Sequence, residues 1–220
     1  MKFTNAVLAL AGAAAASPIA LEERQFGNVG INAGDLEGLT PICRDVTFIF
    51  ARGSTEIGNM GSLVGPPVAN GLKDRLGRNN VAVQGVNYAA GLTTNFLPSG
   101  GDPLGVRDMT SQFETASRRC PSTKIVAGGY SQGAAITHES VESLPRNIIN
   151  QIVGIVTFGD TQNLQDRGQI NNFPRERLLV ICNVGDLVCS GTLVITAAHL
   201  TYSADAGRAV NFLVQRVNSS

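Results

Sequence analysis

The sequence predicts an α/β fold in which a mainly parallel five-stranded sheet is covered by helices on both faces. Three observations point there. Five short apolar runs, 45–51, 81–86, 124–128, 152–158 and 177–181, recur along the chain and are rich in β-branched residues. Most are separated by stretches with helical spacing, and strands apolar throughout, rather than alternating, belong to sheets buried on both sides. The third observation is Gly129-Tyr130-Ser131-Gln132-Gly133, a G-x-S-x-G match directly after the run Lys124-Ile125-Val126-Ala127-Gly128. It reads as a strand turning sharply into a helix with Ser131 at the apex. Glycines two before and two after the serine are what such a turn needs, because a Cβ at either place would collide with the neighbouring strand or helix.

The chain opens with Met1-Lys2, a positive end, followed by an apolar run from Ala6 to Ala15 and small residues suited to cleavage. Residues 1–16 therefore read as a secretory signal peptide, with cleavage as late as residue 20, and the apolar run is too short to span a bilayer. Residues 17–24 resemble a short propeptide ending in Arg24, and 25–40 form a glycine- and asparagine-rich stretch without periodicity, expected to be flexible. A single domain over 41–220 is expected, folding from near Cys43; 220 residues suffice for one sizeable core.

Within that domain the first strand, Asp45 to Ala51, feeds the polar loop Arg52-Gly53-Ser54-Thr55-Glu56. Pro66-Pro67 opens a helix with Val68, Leu72 and Leu76 on one side, ended by Gly77. After the second strand, 87–103 reads as a long irregular loop, and such loops are usually functional. Helices are expected over 105–119, from Gln132 to about Ser143 with Pro145 as the stop, and over 205–217. Asn218-Ser219-Ser220 is a glycosylation sequon at the extreme terminus.

Lysine plus arginine and aspartate plus glutamate each number 17. That balance gives no basic footprint for nucleic acid or an anionic membrane surface, so neither partner is expected. No cofactor is expected either. Secretion makes Cys43, Cys120, Cys182 and Cys189 readable as two disulfides, with three pairings open. A bridge from Cys182 to Cys189 would close a short loop and leave Cys43 to Cys120 as a long staple; loop entropy assigns them about 2.5 and about 4.5 kcal/mol. The spacing does not suit a zinc site, and no metal is expected.

A serine alcohol needs a base to accept its proton and a third group to orient that base. The chain holds two histidines. His138, seven residues beyond Ser131 on the following helix, lies about 10 Å along the axis and is read as a surface or capping residue. His199, downstream of the last strand, can return to the sheet's carboxyl edge. Two acids satisfy the order serine, acid, histidine: Asp160 after the fourth strand and Asp186 in the cysteine-bounded loop. Asp186 is preferred because a bridged loop would hold the carboxylate rigidly, with Asp160 kept as a structural alternative. For a developing oxyanion, the N–H of Gln132 at a helix N-terminus and Ser54 after the first strand are the candidate donors.

Together these segments resemble the fungal cutinases, small secreted serine esterases of the α/β-hydrolase superfamily. The resemblance rests on Cys43-Arg44-Asp45-Val46, Phe50 to Glu56, Gly128 to Ala135, Cys182 to Cys189 and His199-Leu200. It implies a three-layer α/β/α hydrolase fold without a lid domain, and Ser131, His199 and Asp186 as nucleophile, base and acid. It also implies Ser54 and Gln132 as oxyanion hole, Asn95 as support for Ser54, and bridges Cys43–Cys120 and Cys182–Cys189. Ester bonds of cutin, the plant cuticle polymer, and short-chain soluble esters are the implied targets, with cutin or a lipid-like ester as the substrate partner, and a monomer is expected. Leu92, Asn95, Phe96, Leu193, Val194 and Ile195 flank the serine and are expected to form a substrate rim, with core packing the alternative for 193–195. An acetylxylan esterase of the same fold and a noncatalytic surface-binding protein are the rival readings.

Overall fold

The computed structural model describes residues 27–220; the expected signal peptide and propeptide-like segment lie outside them. Five strands form one sheet: β1 (Val46–Ala51), β2 (Val81–Gly85), β3 (Lys124–Tyr130), β4 (Ile152–Phe158) and β5 (Leu178–Ile181). Their spatial order is β2-β1-β3-β4-β5 and every neighbouring pair is parallel. Each crossover carries chain over one face, which brings all five carboxyl ends to the same edge, where open parallel sheets form their sites.

Alternation along the strands divides the core in two. From β1, Val46, Phe48 and Phe50 enter one cluster while Ile49 and Ala51 enter the other. The first cluster is closed by Val68 and Leu72 of α1 (Gly65–Leu76) and by Ala209, Val210 and Leu213 of α5 (Ala206–Asn218). The second is closed by Met109, Phe113 and Ala116 of α2 (Pro103–Arg119), Ile136 and Val141 of α3 (Gln132–Glu142), and Ile148 and Ile149 of α4 (Arg146–Gln151). The architecture is thus the expected α/β/α sandwich. Among the described residues no helix is long and apolar enough to cross a membrane.

Three details differ from expectation. The helix expected from Gly105 starts at Pro103, because the Asp102 side chain accepts from Leu104 N (2.9 Å) and proline occupies the first turn. Pro145 does not merely stop α3; it precedes α4, a short helix that periodicity over six residues is too brief to reveal. Residues 27–40, expected to be a flexible lead-in, are packed. Asp35 N donates to Val83 O (3.0 Å) and Gly85 N to Ala33 O (3.0 Å), Leu36 is buried, and Gly34 bridges Gln84 antiparallel. This segment covers the outer edge of β2, which would otherwise present unpaired backbone groups, so the folded domain begins well before Cys43.

Two disulfides are present, Cys43–Cys120 and Cys182–Cys189. The first joins the approach to β1 with the end of α2. The second closes the loop after β5.

Candidate active site

The turn from β3 into α3 has the geometry its glycines foretell. Ser131 sits at φ 56 and ψ −120, a left-handed backbone that L-residues rarely adopt. A Cβ on Gly129 would stand 2.1 Å from Gly133 O, and one on Gly133 would stand 2.0 Å from Ala51 O. Only glycine permits β3, α3 and β1 to approach so closely around the serine. The turn is pinned from β4, where Ser131 N donates to Phe158 O at 2.9 Å.

His199 arrives on the one-turn 3-10 segment Ala197–Leu200. Its Nε2 lies 3.0 Å from Ser131 Oγ and its Nδ1 lies 2.8 Å from Asp186 Oδ2. A carboxylate at Nδ1 fixes the proton there and leaves Nε2 free to accept from the serine, the arrangement an activated hydroxyl needs. All three are buried residues. Asp186 is held in turn: Val188 N donates to Oδ1 at 3.0 Å, and the Tyr202 hydroxyl donates to Oδ2 at 2.5 Å.

The other histidine and acid form a separate cluster behind the turn. His138 is not at the surface, as expected from sequence, but buried, with Nε2 3.0 Å from Asp160 and Nδ1 2.7 Å from Asp166. The seven-residue spacing correctly puts it out of reach of Ser131. Distance along the helix, however, says nothing about exposure, and α3 is buried along most of its length. Both ring nitrogens face carboxylates, so both must donate. Burial pulls the imidazole down, but the charges and hydrogen bonds of Asp160 and Asp166 outweigh it and raise it to about 9. Burial would push Asp160 up; His138, with donors from Thr157 and Gln162 N, instead holds it below its ordinary value. Asp160 is thereby fully engaged away from His199.

Opposite the serine, Ser54 follows β1 in a loop that several contacts fasten. Glu56 accepts from Gly53 N (2.8 Å), Ser62 N (2.9 Å) and Leu63 N (2.9 Å). Arg52 donates to Glu56 O (2.7 Å) and Tyr88 O (2.7 Å), and the Tyr88 hydroxyl donates back to Arg52 O. The long segment 87–103 is not irregular throughout: Leu92–Phe96 forms a 3-10 turn. Gln132 Nε2 holds it by donating to Gly91 O (2.9 Å), Thr94 Oγ1 (2.8 Å) and Asn95 Oδ1 (3.0 Å), and Asn95 Nδ2 then donates to Ser54 Oγ (2.9 Å). An oxygen that accepts from Asn95 keeps its own proton to donate elsewhere.

A cavity of about 410 Å³ opens over these groups, lined by Ser54, Ser131 and His199 and by Leu92, Asn95, Phe96, Leu193 and Ile195 of the expected rim. Val194 does not line it. It is exposed, as are Leu193 and Ile195, so core packing does not describe this segment. Sequence reasoning missed Thr55, Tyr130, Thr161, Val188 and Leu200 in the lining, and Tyr202, fully buried against the His199 ring. Adjacency is the one signal available for them: Thr55, Tyr130 and Leu200 stand beside Ser54, Ser131 and His199. Among the described residues the one cluster spaced for a cation is His138, Glu142 and Asp166, and His138 there already has a carboxylate on each ring nitrogen.

A family model described as Cutinase matches residues 42–217. The chain belongs to the cutinase family. It is similar to a probable cutinase 1 of Aspergillus niger, 51% identical over 217 residues covering 98% of this chain and 82% of that protein. A cutinase 2 of Fusarium vanettenii is 47% identical over 228 residues, covering 100% of this chain and 98% of that protein. Among solved structures, the Trichoderma reesei cutinase in complex with a phosphonate inhibitor superposes with TM-score 0.75 at 35% identity, over 86% of this chain and 80% of that one. An acetylxylan esterase shares the fold at TM-score 0.62 and 19% identity, over 80% of this chain and 99% of that one. This cutinase-family chain is therefore a carboxylic ester hydrolase, and the noncatalytic reading falls.

Proposed function

We propose that the protein is a secreted serine esterase that cleaves ester bonds of cutin, the plant cuticle polyester, and of short-chain soluble esters. The observation that carries the mechanism is the continuous relay from Ser131 Oγ to His199 Nε2 at 3.0 Å and from His199 Nδ1 to Asp186 at 2.8 Å. His199 takes the Ser131 proton as Oγ attacks the ester carbonyl, and Asp186 stabilises the imidazolium that results. The tetrahedral oxyanion is met by the Gln132 N–H at the start of α3 and by Ser54. Collapse releases the alcohol, protonated by His199. Water, activated by the same imidazole, then attacks the acyl-enzyme and returns Ser131 to its resting state.

The substrate class follows from what surrounds the serine. The lining is largely aliphatic or aromatic, which suits an acyl chain, and Leu92 and Phe96 are exposed at its mouth. A site open in this way admits a segment of a polymer. The names borne by the relatives point the same way. Secretion is supported by the signal-like residues 1–16 and by two disulfides, which persist in oxidising surroundings. Every group in the relay comes from one chain, so a monomer suffices.

The test is hydrolysis of a butyrate ester and of cutin by the native protein and by Ser131→Ala. The variant is expected to lose turnover by at least three orders of magnitude on both. Retained hydrolysis would overturn the mechanism, and faster cleavage of acetylated xylan than of cutin would overturn the substrate.

A further inference from the structure

Tyr202 is fully buried at the head of the turn that follows His199. Its hydroxyl has one proton and the structure fixes where that proton goes. Asn183 N donates to the oxygen at 3.0 Å, so the oxygen is an acceptor there, and the O–H is directed to Asp186 Oδ2 at 2.5 Å. Oδ2 is also the atom that accepts from His199 Nδ1 at 2.8 Å. One carboxylate oxygen thus receives two donors, one from the imidazole and one from the phenol, while Oδ1 receives Val188 N at 3.0 Å. The Tyr202 ring stands edge-on to the His199 ring, with centroids 6.0 Å apart and planes at 90°, so it also limits the imidazole's tilt.

We propose that Tyr202 is a positioning residue for the ester hydrolysis, one that orients the Asp186 carboxylate and tempers the charge it presents to His199. The proposal rests on the Ser131–His199–Asp186 relay described above. A strong donor on Oδ2 draws charge from the oxygen that stabilises the imidazolium. Removing that donor would leave an undamped carboxylate beside the ring, which favours the imidazolium more strongly. A buried phenol is suited to this because it remains protonated: burial, then its bond to Asp186, pushes its ionisation well above the ordinary value. The titratable neighbours are few. The charged side chain acting on Tyr202 is Asp186, and those acting on Tyr130, which flanks His199 from β3, are Glu56 and Asp186. Tyr130 is different in kind, because its hydroxyl donates to the backbone carbonyl of His199 (2.8 Å) rather than to the acid.

The experiment is the pH dependence of kcat and KM on a soluble butyrate ester for the native protein, Tyr202→Phe, Tyr130→Phe and Ser131→Ala. In Tyr202→Phe the acid limb of kcat is expected to move up by about half a pH unit or more, with kcat reduced several-fold and KM little changed. Tyr130→Phe is expected to leave that limb in place. Should Tyr202→Phe fail to fold, 3-fluorotyrosine placed at 202 gives the same decision with opposite sign. Its more acidic hydroxyl should move the limb down. An unmoved limb in a folded variant at 202 overturns the proposal. Activity surviving in Ser131→Ala would instead overturn the relay on which it rests.

Discussion

Asn95 Nδ2 donates to Ser54 Oγ at 2.9 Å, while Asn95 Oδ1 accepts from the Gln132 side chain at 3.0 Å. The two proposed oxyanion donors, 78 positions apart in sequence (54 and 132), are thus coupled through one amide. Asn95→Ala should free the Ser54 hydroxyl to rotate without removing it. A fall in kcat of about tenfold with little change in KM is expected in steady-state kinetics on a butyrate ester.

Ser54→Ala removes the donor itself. Loss of one preorganised oxyanion donor typically costs about 10²–10³ in kcat, and that range is expected here. Because Asn95 acts through Ser54, the double variant Asn95→Ala, Ser54→Ala should be no slower than Ser54→Ala alone. Additive losses would place Asn95 in some other role.

The His138–Asp160 pair should give stability a definite pH window. The folded value for His138, about 9, lies above its ordinary 6.5, so the stabilisation is complete below about pH 6.5 and is lost as pH rises through about 9. Asp160 is held below its ordinary 3.8, so its contribution is present above that value and fades as pH falls through the depressed one. Melting temperature measured from pH 4 to pH 10 should decline on the alkaline side in this range. His138→Ala, which strands a buried carboxylate, should cost about 3–5 kcal/mol and abolish the decline.

Adding a single methyl group at Gly133 should be among the most damaging changes available. The new Cβ would lie 2.0 Å from Ala51 O and 2.5 Å from Arg52 O, both backbone atoms that cannot rotate away. Gly133→Ala is expected to give insoluble protein or a melting temperature lowered by 10 °C or more, on the order of 3 kcal/mol. Gly207→Ala, in α5 where a Cβ meets nothing within 4 Å, is the matched control and should melt at or slightly above the native protein.

The two disulfides should separate in their effects. Replacing Cys43 and Cys120 by serine opens a 77-residue loop and should cost about 4.5 kcal/mol of stability, with kcat retained in the fraction that folds. Replacing Cys182 and Cys189 opens a 7-residue loop and should cost less, about 2.5 kcal/mol. That small loop carries Asp186, so kcat should fall more than stability does. Thermal melts and kinetics on the two double variants check the pair.

How much could be read in the sequence followed the range of the interaction concerned. The strands and the Gly129–Gly133 turn are legible because hydrophobic runs and steric demands on glycine act within a few residues. The proximity of Asp186 to His199 could be argued because a bridged loop lies only 13 positions upstream. Three features were not legible. The burial of His138 depends on packing of α3 against β1 and α2, which periodicity over one helix does not report. Residues 27–40 carry no periodic signal, and what orders them is backbone pairing with the edge of β2. Tyr202 gave no sign at all, since its partners, Asn183 N and Asp186, meet it only after the chain folds back from β5.

Ser131 as nucleophile is tested by mass spectrometry of the protein after exposure to an alkyl phosphonate ester. One covalent adduct per chain, mapped to the peptide bearing Ser131, lost in Ser131→Ala and accompanied by loss of ester hydrolysis in step with labelling, is the predicted result. An unmodified Ser131 in fully inhibited protein, or an adduct mapped to any other residue, would contradict it.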